Sequence, residues 1–191
     1  MTRDEILEAA AQIFSQKGYN ATSMSDIASA VNLQKASLYH HISSKQEILL
    51  SLLDEALDLL TGRMNEVLFQ PLPADQKLKI AMEIYLETLA EQRDLAAILL
   101  LEHRSLNPEL RVQHLPRRDR FEGLWKNLIQ MGVDEGRFVC KDVPLTTRAI
   151  LGVMNWAITW YRSDGPLSIT EIASQYAELI LNGLMNREKS L

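Results

Sequence analysis

The chain of 191 residues has a single cysteine, Cys140, which excludes an intrachain disulfide. A lone thiol without a clustered histidine is more often a packing residue than a nucleophile. Long apolar runs are also missing, since the longest, such as 95–101, fall far short of the roughly 20 residues that a membrane-spanning helix needs. The chain begins with polar residues instead of a signal peptide. We therefore expect a cytoplasmic protein that does not enter membranes.

Basic residues are in the minority, because 20 Lys and Arg stand against 25 Asp and Glu. This balance argues against a generally basic nucleic-acid-binding protein. Hydrophobic residues make up 47% of the chain, which predicts a globular protein of one domain or two small ones.

Motifs of catalysis and metal binding are scarce. The sequence has no Gly-rich phosphate loop, no nucleophile elbow and no His–Glu metal spacing. Adjacent residues on a helix point about 100° apart, so His40 and His41 cannot share a metal, and no further ligand lies at suitable spacing. We therefore expect no catalytic residue, no metal and no cofactor. A small helical enzyme is a remote alternative.

Apolar spacing predicts an all-α protein of about nine helices. A first helix ends at Gly18, and a short second one covers 24–31, with Ser23 and Asp26 in the positions of a capping box. Asn32 follows the last apolar residue of that helix and tolerates the left-handed conformation that such a position needs. The sequence thus predicts two short helices joined by a tight turn.

The helix after this turn has an outer face of hydrogen-bond donors, one cation and an aromatic ring, which suits the major groove of DNA. No acid occurs between Asp26 and Glu47, so the positive region is local. Lys45 opens the next helix beside free backbone N–H groups, where a phosphate could bind. The predicted DNA contacts are Thr22, Ser23, Gln34, Lys35, Ala36, Ser37, Tyr39, His40, His41 and Lys45.

This stretch resembles the N-terminal domain of TetR-type transcriptional regulators. Two positions depart from the family, because Asn32 replaces the usual Gly and Ile42 the usual Phe. The resemblance implies a helix-turn-helix DNA-binding domain, which we place at 1–46, and a ligand-binding and dimerisation domain at 47–191. It is carried, in order and spacing, by Thr22, Ile27, Ala28, Val31, Leu33, Lys35, Ser37, Leu38, Tyr39, His41, Ser44, Lys45 and Glu47.

The remaining sequence predicts further helices. An amphipathic helix continues from Lys45 to about Leu68, and others cover about 74–91 and 95–104. Pro116 should kink or split the long helix that starts at about 108.

The last two helices, near 144–162 and 168–185, have more apolar surface than one small domain covers. A homodimer in which these two helices pair with their copies would bury this apolar surface. It would also present two DNA-binding domains to a palindromic operator. The TetR resemblance implies the same arrangement.

Coupling between a ligand and DNA release requires a pocket in the helical body. The segment 154–184 resembles TetR-type regulators that respond to acyl-CoA thioesters, which favours a repressor released by such a small molecule. A hydrophobic drug, as in regulators of efflux systems, is the alternative ligand. The predicted ligand contacts are Leu99, His103, Arg104, Phe121, Leu124, Trp125, Leu128, Met131, Asn155, Trp156, Trp160, Tyr161 and Arg162.

Arginines are concentrated beside Pro116, upstream of the apolar Phe121. An apolar slot with arginines at its mouth would suit a ligand with an acyl tail and phosphates. Alternatively, these arginines pair at the surface with Glu102, Glu109, Asp119 and Glu122. The candidate phosphate contacts are Arg117, Arg118 and Arg120.

Overall fold

The computed structural model describes residues 2–185, which form nine α-helices and no strand beyond one isolated bridge, between Phe138 and Met185. This confirms the all-α prediction. Among the described residues, no helix combines the length and the apolar character that crossing a bilayer requires. The helices are α1 (Arg3–Lys17), α2 (Met24–Ala30), α3 (Lys35–His41), α4 (Lys45–Leu68), α5 (Ala74–Glu91), α6 (Arg93–Ala97), α7 (Pro108–Asp134), α8 (Val143–Trp160) and α9 (Ile169–Leu184).

The chain divides into two compact units, with boundaries inside α4 and α7. The first unit comprises the chain up to Asp58 together with Gln92–Arg118, and the second comprises Leu59–Glu91 and the chain from Asp119 onward. The functional division that we expect, into 1–46 and 47–191, stays a prediction.

The first unit has a core drawn from one face of each helix. Ile6 and Phe14 of α1, Ile27 of α2, Leu38 of α3 and Leu53 of α4 are all buried. α1 packs on α2 and α6, and α2 packs on α3. Helices of seven residues, such as α2 and α3, are too short to be stable alone, so this packing is what holds them.

The turn between α2 and α3 follows the predicted local chemistry. The Ser23 hydroxyl accepts a hydrogen bond from the Asp26 N–H at 3.1 Å, and the Asp26 carboxylate accepts one from the Ser23 N–H at 2.8 Å. Asn32 has φ 54°, the left-handed conformation, and Gly18 after α1 has φ 82°. The capping box and the left-handed turn are therefore confirmed.

One prediction about helix continuity is wrong. The segment 95–104 is not one α-helix, since α6 ends at Ala97 and gives way to a π-helical turn, Ile98–Glu102, and a 3₁₀ turn, His103–Ser105. Tertiary bonds accompany this break, because Glu102 accepts hydrogen bonds from the Tyr19 N–H and the Ser105 hydroxyl. Of the two effects predicted for Pro116, a split does not occur, because α7 continues through it, and a kink stays a prediction.

The second unit is a helical body in which α5 packs against α8 and α9. Leu78 and Met82 of α5, Trp125 of α7, Met154 of α8 and Ala177 of α9 are buried in it. α8 starts at an Asp142 cap with Pro144 in its first turn, and α9 starts at a Ser168–Glu171 capping box. This unit also contains a cavity between α4, α5 and α7.

Candidate nucleic-acid interface and effector cavity

The outer face of α3 is exposed and carries no acid. Lys35, His40 and His41 are exposed, and Tyr39 shows 46% of its surface to solvent although it is a large aromatic residue. Leu38 on the opposite side is fully buried, which fixes the rotation of the helix. The exposed face therefore presents one cation, a phenol hydroxyl and two imidazoles, groups that bind phosphates and base edges.

Residues just before α2 and α3 differ in their exposure. Ser23 and Gln34 are exposed, and the Gln34 side chain makes no capping bond with the helix that it precedes. Thr22 is instead buried, and its hydroxyl donates to the Gly18 carbonyl oxygen at 2.9 Å. The hydrogen bonds from Ser23 lower the pKa of Asp26, which keeps that acid charged at the edge of the acid-free stretch.

The ammonium of Lys45 is bound to the backbone of its own unit. Its Nζ donates to the carbonyl oxygens of Tyr19, at 2.9 Å, and Thr22, at 2.6 Å, and lies 4.2 Å from the centre of the Tyr19 ring. Because these bonds tie the start of α4 to the segment between α1 and α2, Lys45 positions the helix-turn-helix. Its predicted phosphate contact stays a prediction.

The segment after α6 also forms hydrogen bonds with the start of α4. Gln46 Nε2 donates to the Tyr19 hydroxyl and to the Ser105 carbonyl oxygen, both at 2.8 Å, while Gln46 Oε1 accepts from the Asn107 N–H at 2.9 Å. Burial raises the pKa of Tyr19, which keeps its hydroxyl a neutral partner. Sequence reasoning missed these residues because their partners lie far apart in the chain, as for Tyr19 and Glu102 with a separation of 83.

A cavity lies in the second unit between α4, α5 and α7. The cavity volume is about 10 Å³, close to the space that one water molecule needs. It is therefore far smaller than the roughly 300–1,000 Å³ pockets that hold drug-sized ligands. Its walls are mostly apolar and are formed by Leu60, Arg63, Met64, Val67, Ala81, Ile84, Tyr85, Thr88, Phe121 and Trp125.

Aromatic rings form one wall of the cavity. The Tyr85 ring stacks on Phe121 with centroids 6.0 Å apart and meets Trp125 edge-on at 5.7 Å. The Tyr85 hydroxyl donates to Asn155 Oδ1 at 2.5 Å, and burial raises its pKa, so it stays protonated. This wall is therefore a rigid surface against which a flat or branched apolar group can pack.

Comparison with known proteins decides the family. The family described as "Bacterial regulatory proteins, tetR family" matches residues 6–52, and that described as "Tetracyclin repressor-like, C-terminal domain" matches residues 71–184. The chain belongs to the TetR family. The resemblance found in the sequence is thereby confirmed.

Relatives of known role match this TetR-family chain over nearly its whole length. The HTH-type transcriptional repressor KstR2 of Rhodococcus jostii (strain RHA1) is 31% identical over 184 residues, 95% of this chain and 90% of that protein. The TetR-family regulator PfmR from Thermus thermophilus is 39% identical, with a TM-score of 0.87 and coverage of 96% and 100%. AibR, solved with isovaleryl coenzyme A and operator DNA, is 26% identical, with a TM-score of 0.83 and coverage of 96% and 97%.

Few of the predicted ligand contacts of this TetR-family chain line the cavity. Phe121 and Trp125 do so, and Asn155 holds the Tyr85 hydroxyl. Leu99, His103 and Arg104 lie in the other unit, where burial, and then the charge of Arg104, lowers the pKa of His103. For every one of these residues, contact with a ligand stays a prediction. The predicted residues of the second unit that lie outside the cavity wall are Leu124, Leu128, Met131, Asn155, Trp156, Trp160, Tyr161 and Arg162.

The arginines near Pro116 are on the surface. Arg117 donates to both carboxylate oxygens of Asp58, at 2.6 and 2.7 Å, and its Nε lies 3.2 Å from Asp54. These acids raise the pKa of Arg117. Arg117 is thus paired at the surface, but with two acids of α4 instead of the predicted Glu102, Glu109, Asp119 or Glu122. Arg118 and Arg120 are exposed, and their predicted phosphate contacts stay predictions.

Sequence reasoning missed the one cation in the cavity wall, Arg63. Arg63 is the only Lys or Arg between Lys45 and Lys77, within a helix whose other inward positions are apolar. An isolated cation in an apolar stripe is a signal that would have identified it.

Proposed function

We propose that this TetR-family regulator represses transcription by binding a palindromic operator as a homodimer and leaves the DNA when a short acyl-CoA thioester binds its helical body. The observation that carries the DNA-binding role is the exposed, acid-free face of α3 with Lys35, Tyr39, His40 and His41. Low charge on this face makes one copy a weak binder, since phosphate contacts supply most of the affinity. Two copies at fixed spacing are therefore needed.

Replacement of Lys35 by Ala should weaken operator binding by about tenfold, because one charge-assisted contact to DNA is lost. Ser37→Ala should have a smaller effect and relax the sequence preference. Fluorescence anisotropy with operator and unrelated duplexes at several salt concentrations measures both. Lys141→Ala, at an exposed position in the second unit, is the matched control. Unchanged affinity of both α3 variants would remove α3 from the interface.

The dimeric state is supported by large apolar side chains that α8 and α9 leave exposed. On a soluble protein, large apolar side chains that cluster at the surface usually mark an interaction site. α8 also has apolar residues on nearly all of its faces, so packing within one protomer buries only part of its apolar surface. The exposed apolar side chains of the two helices are Leu145, Val153, Trp156, Trp160 and Leu179.

The acyl-CoA class is supported by the apolar cavity and by the relatives. AibR binds isovaleryl coenzyme A and operator DNA in one complex, and isovaleryl is a short branched acyl group. The cavity walls are aliphatic and aromatic, which suits an apolar acyl group, and at a volume of about 10 Å³ these walls must move apart to admit one. A hydrophobic drug is the alternative effector.

Isovaleryl-CoA at roughly ten times its Kd should raise the melting temperature by about 3–6 °C, because a ligand that binds only the native state stabilises it. Free coenzyme A and the hydrophobic cation ethidium are the controls. The same thioester should release labelled operator DNA. Stabilisation by ethidium without stabilisation by the thioester would favour the drug-sensing alternative.

A further inference from the structure

Tyr19 connects three parts of the first unit. It is only 5% exposed, and each of its polar groups is hydrogen-bonded. Its carbonyl oxygen and its hydroxyl bind the start of α4, through Lys45 and Gln46. Its N–H donates to Glu102 Oε1 at 3.1 Å, at the end of the π-helical turn. The segment between α1 and α2 is therefore attached both to α4 and to the chain that follows α6.

A third set of hydrogen bonds closes this arrangement. Gln46 of α4 binds Ser105 and Asn107, which follow the π-helical turn. The segment 18–22, the start of α4 and the segment 102–107 are thus each bonded to the other two. Such a closed set resists rotation of any one member, whereas loss of one side leaves a hinge. The side between 102–107 and 18–22 is the bond from the Tyr19 N–H.

The π-helical turn sets the direction in which Glu102 points. Backbone hydrogen bonds in a π-helix span one residue more than in an α-helix, so the side chains that follow are rotated from their α-helical positions. The turn leaves Leu101 59% exposed and Glu102 half-buried. The Ser105 hydroxyl donates to Glu102 Oε2 at 3.0 Å, so both carboxylate oxygens accept hydrogen bonds. Since a carboxylate repels phosphate, Glu102 can favour DNA binding only through the protein groups that it holds.

We propose that Glu102 is a positioning residue for DNA binding: by holding the Tyr19 N–H, it fixes the segment between α1 and α2 and thereby the placement of α2 and α3. α2 begins directly after this segment, and α3 packs on α2. Helices of seven residues depend on such support for their order. This role rests on the proposed function of α3 as the helix that binds DNA.

The net charge and the positioning role predict opposite effects when Glu102 is replaced. Removal of an acid strengthens DNA binding if only the net charge matters. Glu102→Ala should instead weaken operator binding by about tenfold, because the DNA must then order a segment that is already fixed in the wild type. Glu102→Gln makes the same change of charge but keeps an acceptor for the Tyr19 N–H, and its amide can donate to the Ser105 hydroxyl oxygen. It should therefore stay within about twofold of wild type.

Fluorescence anisotropy with the operator duplex at several salt concentrations measures these affinities, and urea denaturation shows that each variant is folded. Glu8→Ala is the matched control, because it removes an exposed acid from α1 and should not weaken binding. The slope of log affinity against log salt should be unchanged in Glu102→Ala, since no phosphate contact is lost. Equal affinities of the Ala and Gln variants would overturn the positioning role and leave that of α3 intact. A wild-type protein that binds no DNA would overturn the proposed function itself.

Hydrogen exchange at single-residue resolution tests the same bond in the wild-type protein. Operator binding should slow exchange of the Tyr19 amide by about tenfold or more, because this exchange requires the bond to Glu102 to open. The Gly18 amide is the neighbouring control and should change less, since it donates to the Phe14 carbonyl oxygen of α1 at 2.9 Å. In Glu102→Ala the Tyr19 amide should exchange faster. An equal response of both amides to the operator, or none at Tyr19, would contradict the proposal.

Discussion

The double variant Trp156→Glu, Leu179→Glu is expected to be a folded monomer that binds the operator at least about a hundredfold more weakly than wild type. Both side chains are exposed, at 65% and 67%, so the changes leave the core intact. In a dimer formed by α8 and α9, four carboxylates would be buried in an apolar interface, where an unpaired charge is strongly unfavourable. Loss of the second DNA-binding domain removes the avidity, which commonly strengthens binding by a factor of about 10²–10⁴.

Sedimentation equilibrium gives the oligomeric state of this variant, circular dichroism its helix content, and fluorescence anisotropy its operator affinity. Gln76→Glu on α5 is the control, because it adds a charge at an exposed position outside both helices. A variant that stays dimeric would place the dimer interface elsewhere. A monomer with full operator affinity would show that one copy suffices for DNA binding.

The DNA-reading region could be predicted closely because its signals are local. Ser23 and Asp26 lie within one helical turn of each other, and the left-handed Asn32 is required by its own position in the chain. The start of α5 could likewise be predicted from nearby helix-breaking residues, since Pro71 and Pro73 precede it. Such features depend on neighbours in the sequence and need no knowledge of the tertiary packing.

The cavity could be predicted only in part, because it is a gap between helices that are distant in the sequence. Periodicity identifies buried residues, such as Trp125 and Leu128, but does not tell which of them border a space. Trp156 shows the converse difficulty, since the sequence assigns it to the pocket whereas in the structure it is 65% exposed on α8. That assignment to a ligand stays a prediction.

Lys45 shows how the contact of a predicted functional residue depends on the tertiary structure. The sequence predicts a phosphate contact at the start of α4, whereas in the structure two carbonyl oxygens, of Tyr19 and Thr22, hold its ammonium. Both roles would reduce DNA binding when the lysine is lost. They differ in what happens to stability and to the salt dependence of binding.

Lys45→Met is expected to lower the free energy of unfolding by about 2–3 kcal/mol, because two carbonyl oxygens of buried residues lose their donor. The methionine keeps most of the aliphatic stem, so the loss reports on the ammonium. Urea denaturation followed by circular dichroism measures it. Lys17→Met is the matched control, because this lysine is exposed at the end of α1 and its nearest acid, Asp26, is 3.7 Å away.

Operator binding by the same variant separates the two roles. A lysine that only positions the helix-turn-helix should leave the slope of log affinity against log salt unchanged, since no phosphate contact is lost. A direct phosphate contact would lower that slope by about one. Weaker binding with an unchanged slope and reduced stability is the expected result. A reduced slope with wild-type stability would contradict the positioning role, because the ammonium would then act on the DNA and not on the carbonyls of Tyr19 and Thr22.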